Sequence, residues 1–225
     1  SGSAESDFGL RPVVSASKYP LDITSSSDSG LASNSESSAR KGVSGYALDN
    51  ASNYWREELS GMSYLLDASP LIIDKLRHQC YHLTGLMEYQ YRRHHRYMIP
   101  KFEKKLKAIQ AKDKSNLLVP ESPILGGFGH EIKGALYNFD TVKFYECLVA
   151  MDSRVLSRFR NIKERHQVLE IGAGWGGFAY QYKTLFPNTT YTIVDFPTSI
   201  LFSATYLKTA FPKAKILITD GERES

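Results

Sequence analysis

The chain has 225 residues, 42% of them hydrophobic and 12% aromatic, enough for one domain with a sizeable core or one domain with a substantial appendage. Its formal net charge of +4 is modest for that length and does not by itself announce a nucleic-acid partner. No run of about 18 apolar residues is present, and Ser1–Gly9 lacks the apolar core of a secretory signal, so a cytoplasmic protein without a membrane span is expected.

Residues 1–45 read as a disordered, serine-rich tail. Thr24–Ser38 holds eight serines with Asp28, Gly30 and Asn34 and offers almost nothing to bury. Order is expected to begin near Tyr46–Trp55, opening a mainly helical region over residues 46–160. From Ser69, a plausible N-cap followed by Pro70, apolar residues recur at spacings of three and four: Ile72, Leu76, Cys80, Leu83, Met87 and Tyr91. The spacing predicts one long helix, bent at Gly85 and stopped by Pro100. Phe102, Leu106 and Ile109 predict a second, shorter helix.

The stretch Arg92–Lys114 carries nine Lys or Arg residues against two acids, with His94, His95, Tyr97 and Phe102 interspersed. Such a run reads first as the solvated face of two amphipathic helices; the sharper alternative is a footprint for RNA, an anionic glycan or an acidic membrane surface. His78 and His82 stand four apart on the predicted helix but have no evident third metal ligand. Cys80 and Cys147 lie far apart within apolar patterns and are expected to be reduced, buried thiols.

Leu117–Tyr137 contains Pro120, Pro123, Gly126, Gly127, Gly129 and Gly134 among apolar residues, which suits a structured loop or hairpin. Asp140 precedes a further helix whose buried face is expected to include Tyr145, Leu148, Val149, Met151, Val155, Leu156 and Phe159.

Over residues 161–225 the rhythm changes. Gln167–Ile171 is a short apolar strand, Phe178–Phe186 a helix, Thr190–Val194 a strand, Thr198–Phe211 a helix and Lys215–Thr219 a strand. This β-α-β-α-β order is the start of a doubly wound parallel sheet, and the expected fold is α/β.

The chemistry concentrates where the first of these strands ends, in Glu170-Ile171-Gly172-Ala173-Gly174-Trp175-Gly176-Gly177. A strand turns here into a helix while its backbone passes close to a ligand, and side chains at the glycine positions would obstruct both. Asp195, 23 residues beyond Gly172, ends the second strand, where its carboxylate can accept hydrogen bonds from both hydroxyls of a ribose. Gly172, Gly174 and Gly177 also satisfy G-x-G-x-x-G, so a dinucleotide-dependent oxidoreductase is an alternative. Glu170 argues against it, because a carboxylate repels pyrophosphate and favours a ligand carrying sulfonium and ammonium groups. Phe196 is positioned to pack on an adenine face, and Asp220, 25 residues after Asp195, to accept from its amino group.

Val168–Asp195 resembles motif I and the following acidic position of class I S-adenosylmethionine-dependent methyltransferases. The resemblance implies that Glu170 approaches the methionine amino end of S-adenosylmethionine, that Gly172, Gly174 and Gly176 line its methionyl and ribose portion, and that Asp195 holds the ribose. The segments Ser69-Pro-Leu-Ile-Ile-Asp-Lys-Leu-Arg-His, Glu121-Ser-Pro-Ile-Leu-Gly and Tyr191-Thr-Ile-Val-Asp-Phe-Pro are similar to the sugar O-methyltransferase family, which implies methyl transfer to a sugar hydroxyl. The expected partner is then a small-molecule or glycan acceptor and not a nucleic acid. A sugar hydroxyl is a weak nucleophile, so a general base is expected, with His130, Glu131 and Glu121 as candidates. A complete sheet of that class has seven strands and three are legible, so the chain is expected to be truncated. A non-catalytic scaffold built on a half-domain is the third reading.

Overall fold

A computed structural model describes Gly9–Pro12 (backbone only), residues 52–152, Leu156 and residues 165–218. Within them the architecture is mixed α/β. Strands β4 (His166–Ile171), β5 (Thr189–Val194) and β6 (Lys215–Ile216) alternate with helices α6 (Gly177–Leu185) and α7 (Pro197–Ala210), as the hydrophobic pattern predicts. The parallel register pairs His166 with Thr189 and Ile171 with Val194, which brings the C-terminal ends of β4 and β5 level. Asp220 lies outside the described residues, as do Val155 and Phe159.

The sheet departs from the sequence reading in one respect. Gly9–Pro12, within the tail expected to be disordered, forms β1, which runs parallel to both β5 and β6 and separates them, giving the order β4-β5-β1-β6. A strand flanked on both sides satisfies its backbone groups through its neighbours, which the serine content of the rest of the tail conceals.

Tyr191 of β5 packs on Tyr182 of α6, with ring centroids 5.7 Å apart, so α6 covers the face that carries Val168, Tyr191 and Ile193. The opposite face exposes Leu169 (63%) and Ile171 (79%) of the edge strand β4. The two β-α units end alike. Lys183-Thr-Leu-Phe-Pro and Lys208-Thr-Ala-Phe-Pro repeat with a period of 25 residues. Lys183 Nζ donates to the carbonyls of Pro187 and Thr189, and Lys208 Nζ to those of Pro212 and Ala214. Each lysine thus closes the connection from its helix to the next strand, and burial lowers the Lys183 pKa to about 8.

The helical region is more broken than predicted. Helix α1 (Asn53–Gly61) is capped by Ser52. The predicted long helix is replaced by α2 (Pro70–Ile73), α3 (Tyr81–Thr84) and 3₁₀ turns at Leu76–Gln79, Glu88–Tyr91 and Arg93–Met98. Gly85 adopts the left-handed conformation and terminates α3. Pro100 opens α4 (Ile99–Gln110) and does not stop a helix, because in the first turn its missing N–H has no partner to lose. Phe102, Leu106 and Ile109 are the buried face of α4, as their spacing predicts.

Leu117–Tyr137 does contain a hairpin, of β2 (His130–Ile132) and β3 (Ala135–Tyr137). Its two-residue turn places Lys133 and Gly134 at φ 53° and 80°, the positive values that match the strand twist. Helix α5 (Phe139–Asp152) follows, with Asn138 Oδ1 accepting from the Thr141 N–H at 2.9 Å. Tyr145 and Leu148 are buried, and so is Leu156, whereas Cys147 is exposed, contrary to expectation. Its position on the solvent side of α5 escapes a pattern read only from apolar spacing.

Candidate functional site

The turn from β4 into α6 is built by three left-handed glycines, Gly172 (φ 76°), Gly174 (φ 57°) and Gly176 (φ 85°). They are required for different reasons. A Cβ at Gly172 would meet nothing within 4 Å, and one at Gly174 only Leu83, at 3.9 Å; these two leave open space beside the backbone. A Cβ at Gly176 would press on Ser203 and Leu207 of α7, at 3.1 and 3.3 Å. At Gly177 it would collide with the Trp175 ring and with Phe144 of α5. Gly172 and Gly174 therefore serve the surface of the loop, and Gly176 and Gly177 its packing.

Asp195 lies beside the loop. Its Oδ2 accepts the Gly174 N–H at 2.8 Å, its Oδ1 accepts the Phe196 N–H at 2.8 Å, and burial raises its pKa. The Ser199 side chain is a third donor to this carboxylate, which leaves one acceptor position for a ligand. Glu170, two residues before the first glycine, accepts the Tyr191 hydroxyl at 2.8 Å. Burial and the neighbouring Asp195 push its pKa up to about 7, against which the Tyr191 hydrogen bond works. Two partly desolvated carboxylates at one strand-helix turn make a site suited to cationic and hydroxyl groups.

Phe196 heads α7 and packs on Trp55 of α1, ring centroids 5.8 Å apart. Leu83 of α3 faces Gly174, and His82 pairs with Glu58 at 3.0 Å, tying α3 to α1. The glycine turn is thus bordered by the helical region.

The deepest connection between the two halves escaped the sequence reading. Arg77 is 0% exposed, its Nε donates to Glu121 Oε1 at 2.8 Å, and its guanidinium lies 3.5 Å from the Trp175 ring centroid. Glu121 Oε2 accepts from Asn138 and Thr141. The Trp175 indole N–H donates to Asp140 at 2.9 Å, and Tyr206 meets that ring edge-on. Arg77 and Glu121 stand 44 residues apart in the chain and meet in space. Pairing a lone arginine near Leu76 with a lone glutamate before Pro123 was the available signal.

The candidate bases fare differently. His130 and Glu131 alternate along β2, so His130 is buried (3% exposed) and Glu131 faces outward. The two candidates therefore point to opposite faces of β2. His130 sits between the rings of Tyr91 and Phe102, each 5.0 Å away, and burial lowers its pKa. Glu121 is committed to Arg77. His78 packs on Phe128 while His82 turns to Glu58, and no metal-binding group of three His, Cys, Asp or Glu residues occurs among the described residues. No helix there is long and apolar enough to cross a membrane.

The chain matches no protein-family model, and comparison with curated proteins and with solved structures gives no significant match.

Proposed function

We propose that the chain binds S-adenosylmethionine at the Gly172–Gly176 turn and serves methyl transfer to a hydroxyl, that of a sugar. On this reading β4-α6-β5-α7-β6 follows the β-α-β-α-β order of a Rossmann-like methyltransferase sheet, with β1 inserted between β5 and β6. The observation that carries it is the pairing of two carboxylates with the open side of the turn: Asp195 hydrogen-bonded to Gly174, and Glu170 at the end of β4. Glu170 would attract the ammonium and sulfonium charges, and Asp195 a ribose hydroxyl through its remaining acceptor position. Phe196, ahead of α7 and flanked by Trp55, would offer an aromatic face to adenine.

A dinucleotide would instead bring pyrophosphate against Glu170, where the carboxylate repels it. The fit therefore favours the sulfonium cofactor over NAD or FAD. Methyl transfer needs alignment of the acceptor oxygen with the methyl carbon and exclusion of water more than it needs a strong base. The broken helical region bordering the turn, with Leu83, Trp55 and the Arg77–Trp175 stack, supplies walls of that kind. The test is competition: labelled S-adenosylmethionine retained by the chain should be displaced by S-adenosylhomocysteine and not by NAD. Displacement by NAD at equal concentration would favour the oxidoreductase.

A further inference from the structure

All nine Lys and Arg residues of Arg92–Lys114 are exposed. Arg92 pairs with Glu88, and Lys105 with Glu146; the other seven make no ion pair among the described residues. A solvated face whose purpose is solubility carries mixed signs, and this one does not. Among nearby acids, Asp113 is turned inward, accepting from the Ser115 and Leu117 N–H groups and the Tyr145 hydroxyl. Glu103 is half-buried within α4, and Glu131 is exposed on the neighbouring β2.

The cations form two tiers. Arg93 and Arg96 project from a 3₁₀ turn beside Tyr97, which is 71% exposed. Lys101, Lys104 and Lys107 follow on the outer side of α4, opposite its buried Phe102, Leu106 and Ile109, over a rise of about 9 Å. A relay of residues links the patch to the proposed cofactor turn: the Tyr91 hydroxyl, one residue before it, accepts the Phe139 N–H, and the next residue, Asp140, holds Trp175.

From this we propose that the surface docks an anionic glycan, a carbohydrate chain bearing carboxylate or phosphate groups, and that the acceptor of methyl transfer belongs to that class. The proposal rests on the methyltransferase reading for the second clause only. The rings favour a glycan over a nucleic acid. A single-strand platform holds successive bases on open aromatic faces, whereas Tyr89, His95 and Tyr97 tilt against one another at 51° and 45° and leave Tyr97 as the most exposed ring. One open face beside a row of cations suits the C–H face of a pyranose and its charged substituents.

The test uses fluorescence anisotropy with a fluorescein-labelled oligogalacturonide, a neutral maltooligosaccharide and poly(U). The oligogalacturonide should bind, weaken with added salt, and bind at least about tenfold more weakly to the triple variant Arg93→Glu, Arg96→Glu, Lys104→Glu. Tyr97→Ala should weaken it further, and the maltooligosaccharide should not bind. All four positions are exposed, and an unchanged circular dichroism spectrum and melting temperature establish that the variants fold. Absence of oligogalacturonide binding at low salt, equal binding to the triple variant, or poly(U) binding as tightly as the oligogalacturonide would each overturn the proposal. S-adenosylhomocysteine binding, measured on the same samples, reads the cofactor site separately: its failure removes the methyltransferase reading and leaves glycan docking to be judged by anisotropy alone.

Discussion

Trp175 and Asp140 join the glycine turn to the helical region through one hydrogen bond of 2.9 Å, from the indole N–H to a carboxylate whose pKa burial raises. The same indole carries the Arg77 guanidinium on its face and the Tyr206 ring at its edge. Trp175→Phe keeps a ring under Arg77 but withdraws the donor from Asp140, and should cost about 1–3 kcal/mol. Trp175→Ala also empties the packing and should cost about 3–5 kcal/mol. Urea denaturation followed by circular dichroism measures both.

The four glycines of the turn should separate into two classes. Gly174→Ala meets open space and only the conformational strain of φ 57°, roughly 1–2 kcal/mol, while narrowing the surface offered to ligand. Gly177→Ala must move Trp175 and Phe144 and should destabilise the fold more, by about 1–3 kcal/mol or above. Melting temperature and S-adenosylhomocysteine affinity, measured side by side, should therefore rank the two variants in opposite orders.

Glu170 supplies a pH dependence of definite sign. Its folded pKa of about 7 lies above the ordinary carboxylate value, so the native state holds the proton more tightly than the unfolded chain. Its favourable contribution is present in full below the ordinary value and is lost as pH rises through 7, by up to about 3 kcal/mol. Glu170→Gln should flatten this part of the stability profile. Cofactor affinity should run the other way, rising from pH 6 to pH 8 as the carboxylate ionises. Melting curves across pH check the first expectation, and binding titrations at the same pH values the second.

The buried Arg77–Glu121 pair should behave as a unit. Removing either partner strands a charge and should cost about 3–5 kcal/mol, whereas Arg77→Met combined with Glu121→Leu should cost less than the two singles added together. A double-mutant cycle on unfolding free energy measures the coupling.

The β-α-β-α-β segment and the glycine turn were legible because their signals are local: apolar runs of strand length, amphipathic helices, and glycines spaced two apart. The helical region was not, since Leu76, Cys80, Leu83, Met87 and Tyr91 keep helical spacing across backbone that Gly85 and two 3₁₀ turns divide. Pairing of β1 between β5 and β6 joins residues 181 and 206 positions apart, as in Leu10 with Tyr191 and Gly9 with Lys215, which no local pattern encodes. The hub of Arg77, Glu121, Asp140 and Trp175 is likewise long-range, and its members look like isolated polar residues until the chain folds. His130 and Glu131 are neighbours in sequence, and strand geometry sends neighbours to opposite faces, which the residue types alone do not show.

Calorimetric titration of the chain with S-adenosylhomocysteine, repeated on Asp195→Ala, tests the cofactor site most directly. One-to-one binding that the substitution weakens at least about tenfold, equivalent to about 1.4 kcal/mol, is the predicted result. A folded chain that gives no heat of binding, or that binds equally well without the Asp195 carboxylate, would contradict it.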